Sequence, residues 1–441
     1  MFKRIMVVAL IICALATPAF ANYDFGGETV TLAQSMWFGE YFSFITREDF
    51  SLPRYAGHKE DVEAMFNTYL EFDLSHAGWP ADASVEYLLP RVIAGEGNFV
   101  TVTTSTVIPI LVANNLIMPL TEWVNEDYFA RLPRPLSALP NFVSFLGDTW
   151  AFQFGPRMVT EANVVMWNKD LFDELGLPSP YDLYEAGEWT WEAFYDLAVK
   201  LTRDTDGDGE IDQWGVATRH SHSHWGGHVE WVYTNGGALT REIDGKIVFT
   251  LDEPEALEAL EFWQRAYQAN IWSPDQWHYE FAAGNVAMLY DFADSISYLK
   301  DSDVNFGLVP APKGPRADRH VAIESGRWVA ILPITAQNPE ALIEVWHALY
   351  ELATPYIDDL ERWEEDFYSD VSLLLRDYES LEYFMWVTEN AEGVALLDVV
   401  GQVPGFGDVI NEIVMEGRDA ASAIAEIKPA VQAYLDEVFD Q

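Results

Sequence analysis

Residues Asn168–Gly215 read NKDLFDELGLPSPYDLYEAGEWTWEAFYDLAVKLTRDTDGDGEIDQWG. The stretch predicts a helix over Lys169–Leu175, then a proline-containing loop, then a second helix from Thr190. Thr190 is a good N-cap, and Glu192 favours the positive end of the first turn. Trp191, Phe194, Leu197, Ala198 and Leu201 then fall on one face, the apolar stripe of a helix that covers a core. The run closes on an acidic, glycine-containing loop.

The same alternation extends in both directions. Strands are expected at Gly27–Ala33, Leu70–Leu74, Phe99–Val102, Thr149–Phe154 and Val164–Trp167. Helices are expected at Tyr87–Ala94, Val107–Asn114, Ala256–Tyr267 and Pro339–Leu352, and residues 353–385 read as a helical insertion rich in acids and aromatics. Strands alternating with helices predict an α/β fold with mainly parallel sheets. A chain of 441 residues exceeds what one core usually holds, so two lobes are expected.

Lys3 and Arg4 precede an apolar run, Ile5–Ala16, and small residues stand before a cut after Ala21. This is the layout of a signal peptide over residues 1–21, and it predicts export. Cys13 follows Ile12 inside the apolar run rather than a small residue, so a lipoprotein is not expected, and the exported chain would hold no cysteine. Later apolar runs such as Val107–Leu120 are broken by Pro109, Asn114, Asn115 and Pro119. With 71 Asp and Glu against 25 Lys and Arg, the formal net charge is −46. That surface repels nucleic acid and anionic lipid, which excludes both as partners. The acidity fits either a high-salt habitat or a lineage-wide composition. The 49% of hydrophobic residues separates the chain from a disordered acidic tail.

Four segments together resemble the family 1 extracellular solute-binding proteins, the group that contains maltose- and oligosaccharide-binding proteins. They are the quoted stretch; FAAGNVAM, Phe281–Met288, similar to a family helix start; GLVPAPKGP, Gly307–Pro315; and SGRWVAILPITAQNPEAL, Ser325–Leu342. They stand in family order. Six residues after Met288, where such proteins often carry Trp, this chain has Asp294, and GEGNFVTVTT, Gly95–Thr104, differs from the family's usual pattern there. The resemblance implies a two-lobed periplasmic-binding-protein fold, type II-like, whose lobes close over ligand about a hinge of several crossings. It implies a first lobe of residues 22–157 plus about 327–390 and a second of about 158–326 plus 391–441. The crossings are expected near Gly155–Glu161, Ser325–Trp328 and Met385–Glu392. It also implies no catalysis, a small-molecule ligand, membrane permease subunits of an ABC importer as partners, and a monomer.

Three clusters could carry chemistry. Asp204, Asp206, Asp208, Glu210 and Asp212 alternate around Gly207 and Gly209, as oxygen ligands do in an EF-hand-type loop, and predict a structural Ca²⁺; the twelfth position is Gly215 rather than Glu. His220, His222 and His224 alternate, with His228 close behind, so imidazoles could converge on a metal ion. A metal-ion receptor is therefore the rival function, and the family places the His stretch near the cleft, where it would serve equally as hydrogen-bonding groups. Trp37, Trp225, Trp231, Trp272, Trp277 and Trp328 are expected in or beside loops, where flat rings pack on sugar C–H faces. Trp37 and Trp328 are the expected stacking residues, with Trp225 and His224 beside them and Glu40, Glu161, Asp291 and Arg327 as polar partners. No nucleophile-elbow, phosphate-loop, dinucleotide or zinc-protease motif is present, and nothing marks a glycosidase carboxylate pair, the remaining enzymatic alternative.

Overall fold

The computed structural model describes residues 23–33, 58–73, 75, 81–153, 161–218, 225–274, 277–324, 326–350, 360–394 and 396–439. The strands in chain order are β1 (Thr29–Ala33), β2 (Tyr69–Asp73), β3 (Phe99–Thr104), β4 (Ser144–Phe145), β5 (Asp148–Thr149), β6 (Phe152–Gln153), β7 (Asn163–Asn168), β8 (Trp214–Thr218), β9 (Thr240–Ile243), β10 (Lys246–Phe249), β11 (Val286–Phe292), β12 (Phe306–Pro310), β13 (Ala322–Glu324), β14 (Trp328–Ile331) and β15 (Ala391–Gly393). They build two principal sheets, ordered β2-β1-β3-β14-β6 and β12-β7-β11-β8. This is the α/β architecture expected.

The sheets differ in how their chains run. β1, β2 and β3 are parallel, and β14 and β6 enter antiparallel to their neighbours. In the second sheet β11 is parallel to β8 but antiparallel to β7. Every residue of β3, β7, β11 and β12 is buried, as strands covered on both faces must be. Gly307 in β12 shows how tight that cover is. A Cβ there would stand 2.4 Å from Trp167 Nε1 and 2.5 Å from Tyr181 Oη.

The helix Trp191–Leu201 forms as its sequence predicts. Thr190 Oγ1 accepts the Ala193 N–H at 3.3 Å, and the five apolar residues of its stripe are all buried. The stripe meets an aromatic core: Trp191 stacks on Phe262 at 4.9 Å, Phe262 on Trp231 at 5.3 Å, and Trp263 on Trp272 at 4.7 Å. Each such ring contributes about 1.5–3 kcal/mol by burial. Trp231 and Trp272 are therefore core residues, not loop residues offered to a ligand.

One other expectation is corrected. Phe281 closes the helix Trp277–Ala282 instead of opening one; Gly284 then takes a left-handed φ of +85°, and the β-forming run from Val286 becomes β11. The helix Tyr378–Glu389, which contains the start of the crossing expected at Met385–Glu392, lies against β12 of the second sheet and also against Arg134–Leu136 of the first half. Its N-cap Asp377 fixes it there. That carboxylate pairs with Lys169 and accepts from Tyr181 Oη at 3.1 Å. The preceding helix Leu360–Ser372 reaches the other way, through Glu364, to Arg134. The segment 360–389 thus bridges both halves of the molecule.

Candidate functional site

Strand direction locates the site before any side chain is considered. Ala33, Thr104 and Gln153, the last residues of β1, β3 and β6, and Trp328, the first of β14, lie along one edge of the first sheet. Asn163, Phe292, Thr218 and Pro310 lie along one edge of the second. Both links between the sheets, residues 154–162 and 311–327, leave from these two edges. The edges therefore meet along a seam, and ligands of open α/β sheets bind beyond the carboxyl ends of strands where chain direction switches.

The floor of the seam is polar and buried. Glu324, ending β13, and Arg327, just before β14, form a two-pronged pair: Nη2–Oε2 is 2.8 Å and Nε–Oε1 is 3.1 Å. Their side chains are 1% and 3% exposed, so the guanidinium balances a carboxylate that would otherwise be costly to bury. Arg327 also lies over the Phe142 ring at 4.3 Å, and its N–H donates to Ser105 Oγ at 3.0 Å. Ser105 N–H returns a bond to Arg327 O at 2.7 Å. Ser105 follows β3, so this exchange ties the link to the first sheet.

The second sheet is tied in through Asn163. Its Nδ2 donates to Glu230 Oε2 at 2.7 Å and to Ile323 O at 3.3 Å. Glu230 belongs to the helix Trp225–Thr234 and is buried, as is Asp291 in β11, whose Oδ1 accepts from Phe292 N–H at 2.7 Å. Burial, with Glu230 and Asp291 nearby, pushes the Tyr290 hydroxyl well above its ordinary range, so it stays protonated as a donor. β13 pairs in parallel with β15, and Glu324 forms an antiparallel bridge with Ala162. Three separate chain segments thus meet at Glu324.

The structure brings Glu161, Asp291, Arg327 and Trp328 to this seam. Glu161 is half-buried, two residues before β7, and Trp225 begins a helix that touches β13. Trp328 is 9% exposed and sits opposite Thr104. Asp291 and Arg327 are buried beneath the seam, in supporting positions. Trp37, Glu40, His220, His222 and His224 lie outside the described residues. His228 is buried, with its ring 4.7 Å from Trp263. Glu324, Asn163, Glu230 and Ser105 were not singled out from sequence. A Glu–x–x–Arg spacing around Gly326 was the one signal available for the first of them.

Two of the hollows among the described residues differ in meaning. One of about 430 Å³, lined by Asn168, Asp170, Glu174, Asp301 and Asp303, opens at the far edge of the second sheet, where β7 ends rather than begins. One of about 40 Å³, lined by Ser105, Thr106, Asn141, Phe142 and Gly393, lies at the seam. The strand directions, not the larger volume, mark the site.

Away from the seam, the carboxylate oxygens of Asp204, Asp206 and Asp208 lie within 4.8 Å of one another. Asp204 accepts from Gly207 N–H at 2.6 Å and Gly209 N–H at 2.9 Å, and these bonds hold its carboxyl below the usual carboxylate range. Asp212 accepts instead from Thr205 Oγ1 at 2.6 Å, and Glu210 is outside the cluster of three. Three converging hard oxygens on a turn with left-handed glycines fit a calcium ion.

Comparison with known proteins agrees with this architecture. Residues 80–351, more than half of the chain, match the family of bacterial extracellular solute-binding proteins. A Thermotoga lettingae ABC transporter solute-binding protein bound with α-D-tagatose superposes with a TM-score of 0.61 at 16% identity, over 93% of this chain and 100% of that one. A Listeria monocytogenes ABC substrate-binding protein in complex with cycloalternan gives 0.63 at 12%, over 94% and 99%. A maltose/maltodextrin-binding domain from Bdellovibrio bacteriovorus bound to maltotriose gives 0.60 at 14%, over 94% and 100%. At these identities the likeness establishes the shared two-lobed fold. Among the described residues no helix is long and apolar enough to cross a membrane. On the extent of the family match, the chain is a member of the bacterial extracellular solute-binding proteins.

Proposed function

We propose that this protein captures a neutral sugar or oligosaccharide outside the cytoplasm and delivers it, without turnover, to the permease of an ABC importer. The observation that carries the reading is the seam: two sheet edges face each other, joined by links pinned at a buried Glu324–Arg327 pair, in a chain of a binding-receptor family. The solved relatives with the same fold hold a ketose, a cyclic glucan and a linear one. A net charge of −46 disfavours anionic ligands.

Glu161, Trp225 and Trp328 are the proposed ligand contacts at the seam, and Trp37, Glu40 and His224, outside the described residues, are the further candidates. Asp291 and Arg327 hold the floor rigid. Ligand favours the closed arrangement of the lobes, and the transporter would read that state. The protein would be exported by cleavage after Ala21, without lipid attachment, and act as a monomer. The aspartate loop would hold Ca²⁺ through Asp204, Asp206 and Asp208, in a structural role.

The test is a calorimetric and thermal-shift screen of neutral sugars, sugar alcohols and divalent ions, with small-angle scattering on any ligand found. Sugar binding that compacts the particle, with no release of reducing ends, is the expected result. Tight Zn²⁺ binding that requires His220, His222 and His224, with no sugar response, would replace this function with metal capture. Sugar turnover would replace it with hydrolysis.

A further inference from the structure

The link 154–162 leaves the first sheet through Gln153, and a side chain from outside the sheet holds that point. Among the described residues β6 is the last strand of its sheet, with Val329 of β14 opposite Gln153. The outward backbone N–H of Gln153 meets no further strand and donates to Tyr128 Oη at 3.2 Å. Tyr128 belongs to the helix Glu126–Phe129. Its hydroxyl also stands 3.1 Å from Nε2 of His347, in the helix Pro339–Tyr350. The two rings stack at 5.5 Å and 26°, and Phe152 meets the imidazole edge-on at 5.8 Å. Gln153, His347 and Tyr128 are all buried, so these groups depend on one another for their hydrogen bonds.

The hydrogens of this relay have one arrangement. Burial holds the Tyr128 hydroxyl well above its ordinary range, Glu344 adds to the shift, and Gln153 N–H and Arg131 oppose it, so the phenol keeps its proton. Its oxygen accepts from Gln153 N–H, so its own hydrogen goes to His347 Nε2. That nitrogen is then an acceptor, which makes His347 a neutral ring with its proton on Nδ1. A second proton would land on Nε2 and face a hydroxyl that is already donating. The hydroxyl hydrogen would lose its acceptor beside Phe129 and Phe152, and a buried donor without an acceptor is costly. The charged groups around the pair are Glu344, one turn earlier on the helix of His347, and Arg131, just past the helix of Tyr128. Glu126, Asp127 and Glu340 are exposed. The helix His58–Phe66 packs on the helix of His347 and buries Val62 and Phe66, while its Lys59 pairs with Glu63 at 2.6 Å and Glu60 and Asp61 are exposed. β3 and β6 bring no charge.

We propose that Tyr128 and His347 form an acid-sensitive catch on the link 154–162: neutral His347 holds the end of β6 through Tyr128, and protonated His347 releases it. The link joins the two sheets, so acid loosens one anchor of the movement of one lobe against the other. The inference concerns the link alone and is independent of which ligand the lobes hold.

The experiment uses the full protein without ligand, from pH 7.5 to 5, a window that spans the roughly pH 6.5 at which an ordinary imidazole takes up its proton. Nitrogen NMR of histidine-labelled protein reads the ring of His347, whose signals are those missing from His347→Gln. Hydrogen exchange, corrected for the intrinsic rate, reads the Gln153 amide. The expected result is an unprotonated Nε2 at pH 7.5, and a loss of Gln153 protection by about tenfold as His347 takes up its proton. His347→Gln, whose amide oxygen accepts from Tyr128 at every pH, should keep that protection throughout. Tyr128→Phe, which retains the ring without the hydroxyl, should lack it at both ends; if that variant does not fold, the parent and His347→Gln decide. A proton on Nε2 at pH 7.5 would overturn the catch. So would a His347 that stays neutral down to pH 5, or a Gln153 amide equally protected before and after the titration.

Discussion

His320 lies in the link 311–327, and its environment makes that link sensitive to acid. Its ring is 4.5 Å from Tyr184, and Nδ1 is 3.1 Å from Ala311 O. Burial pushes its pKa below the ordinary 6.5; the Ala311 carbonyl opposes the shift and Lys313 adds to it. The folded chain therefore binds fewer protons at this site than the unfolded chain in the window just below pH 6.5. Stability is fully present above 6.5 and is lost as pH falls through the lower folded value. The parent's melting temperature should fall more steeply between pH 7.5 and 5.5 than that of His320→Gln. Parallel curves would mean that His320 titrates as it does in the unfolded chain. Single residues were unevenly legible in the sequence. Thr190 was readable because a cap acts within three residues of its own position. Arg327 was readable as a polar seam residue, but its partner Glu324 was not, because a three-residue strand has no period to detect. Gly307 could not be read as obligatory, since the Trp167 and Tyr181 rings that exclude a side chain come from elsewhere in the chain.

Elements with their own periodicity were read from sequence, and elements defined by their neighbours were not. The helix Lys169–Leu175 has the predicted bounds, whereas the helix Tyr378–Glu389 runs past the end of the helical insertion expected over 353–385 and packs against β12. The aspartate loop belongs to the first kind. Its alternating acids fold onto one point because Gly207 and Gly209 adopt φ of +81° and +96°. The structure also explains the missing glutamate at the loop's twelfth position. A Cβ on Gly215 would stand 2.2 Å from Ala198 O, so no side chain fits there, and a bound ion would take the remaining ligands from water. Calcium at 100-fold excess over Kd should then stabilise the protein by about 2.7 kcal/mol. Asp206→Asn combined with Asp208→Asn should abolish that gain while leaving the metal-free melting temperature near the parent's. Equal melting with calcium and with chelator, in protein shown to begin metal-free, would remove the ion from the loop.

At the scale of the whole molecule, charge is the dominant feature, and its effect can be separated from that of the ion pairs. Cations are few enough that single arginines serve two carboxylates. Arg134 reaches Glu364 at 3.0 Å and Glu389 at 3.8 Å, Arg316 reaches Glu258 at 2.7 Å and Glu255 at 3.7 Å, and Arg418 pairs with Glu412 and Glu426. Exposed pairs of this kind contribute about 0–1 kcal/mol each, and salt weakens them. The repulsion among the remaining carboxylates acts over longer distances and is also screened, with a Debye length of about 10 Å at 0.1 M and about 3 Å at 1 M. The two effects have opposite signs. With a net charge of −46, repulsion outweighs the pairs, so added NaCl should raise the melting temperature. Screening has a further signature. Most of the rise should come between about 0.05 and 0.5 M, where the Debye length shrinks fastest, followed by a plateau. A melting temperature that is flat or falls over that range would mean the ion pairs dominate. A rise that continues linearly to about 1 M and beyond would place the stabilisation in solvent exclusion from the surface rather than in charge.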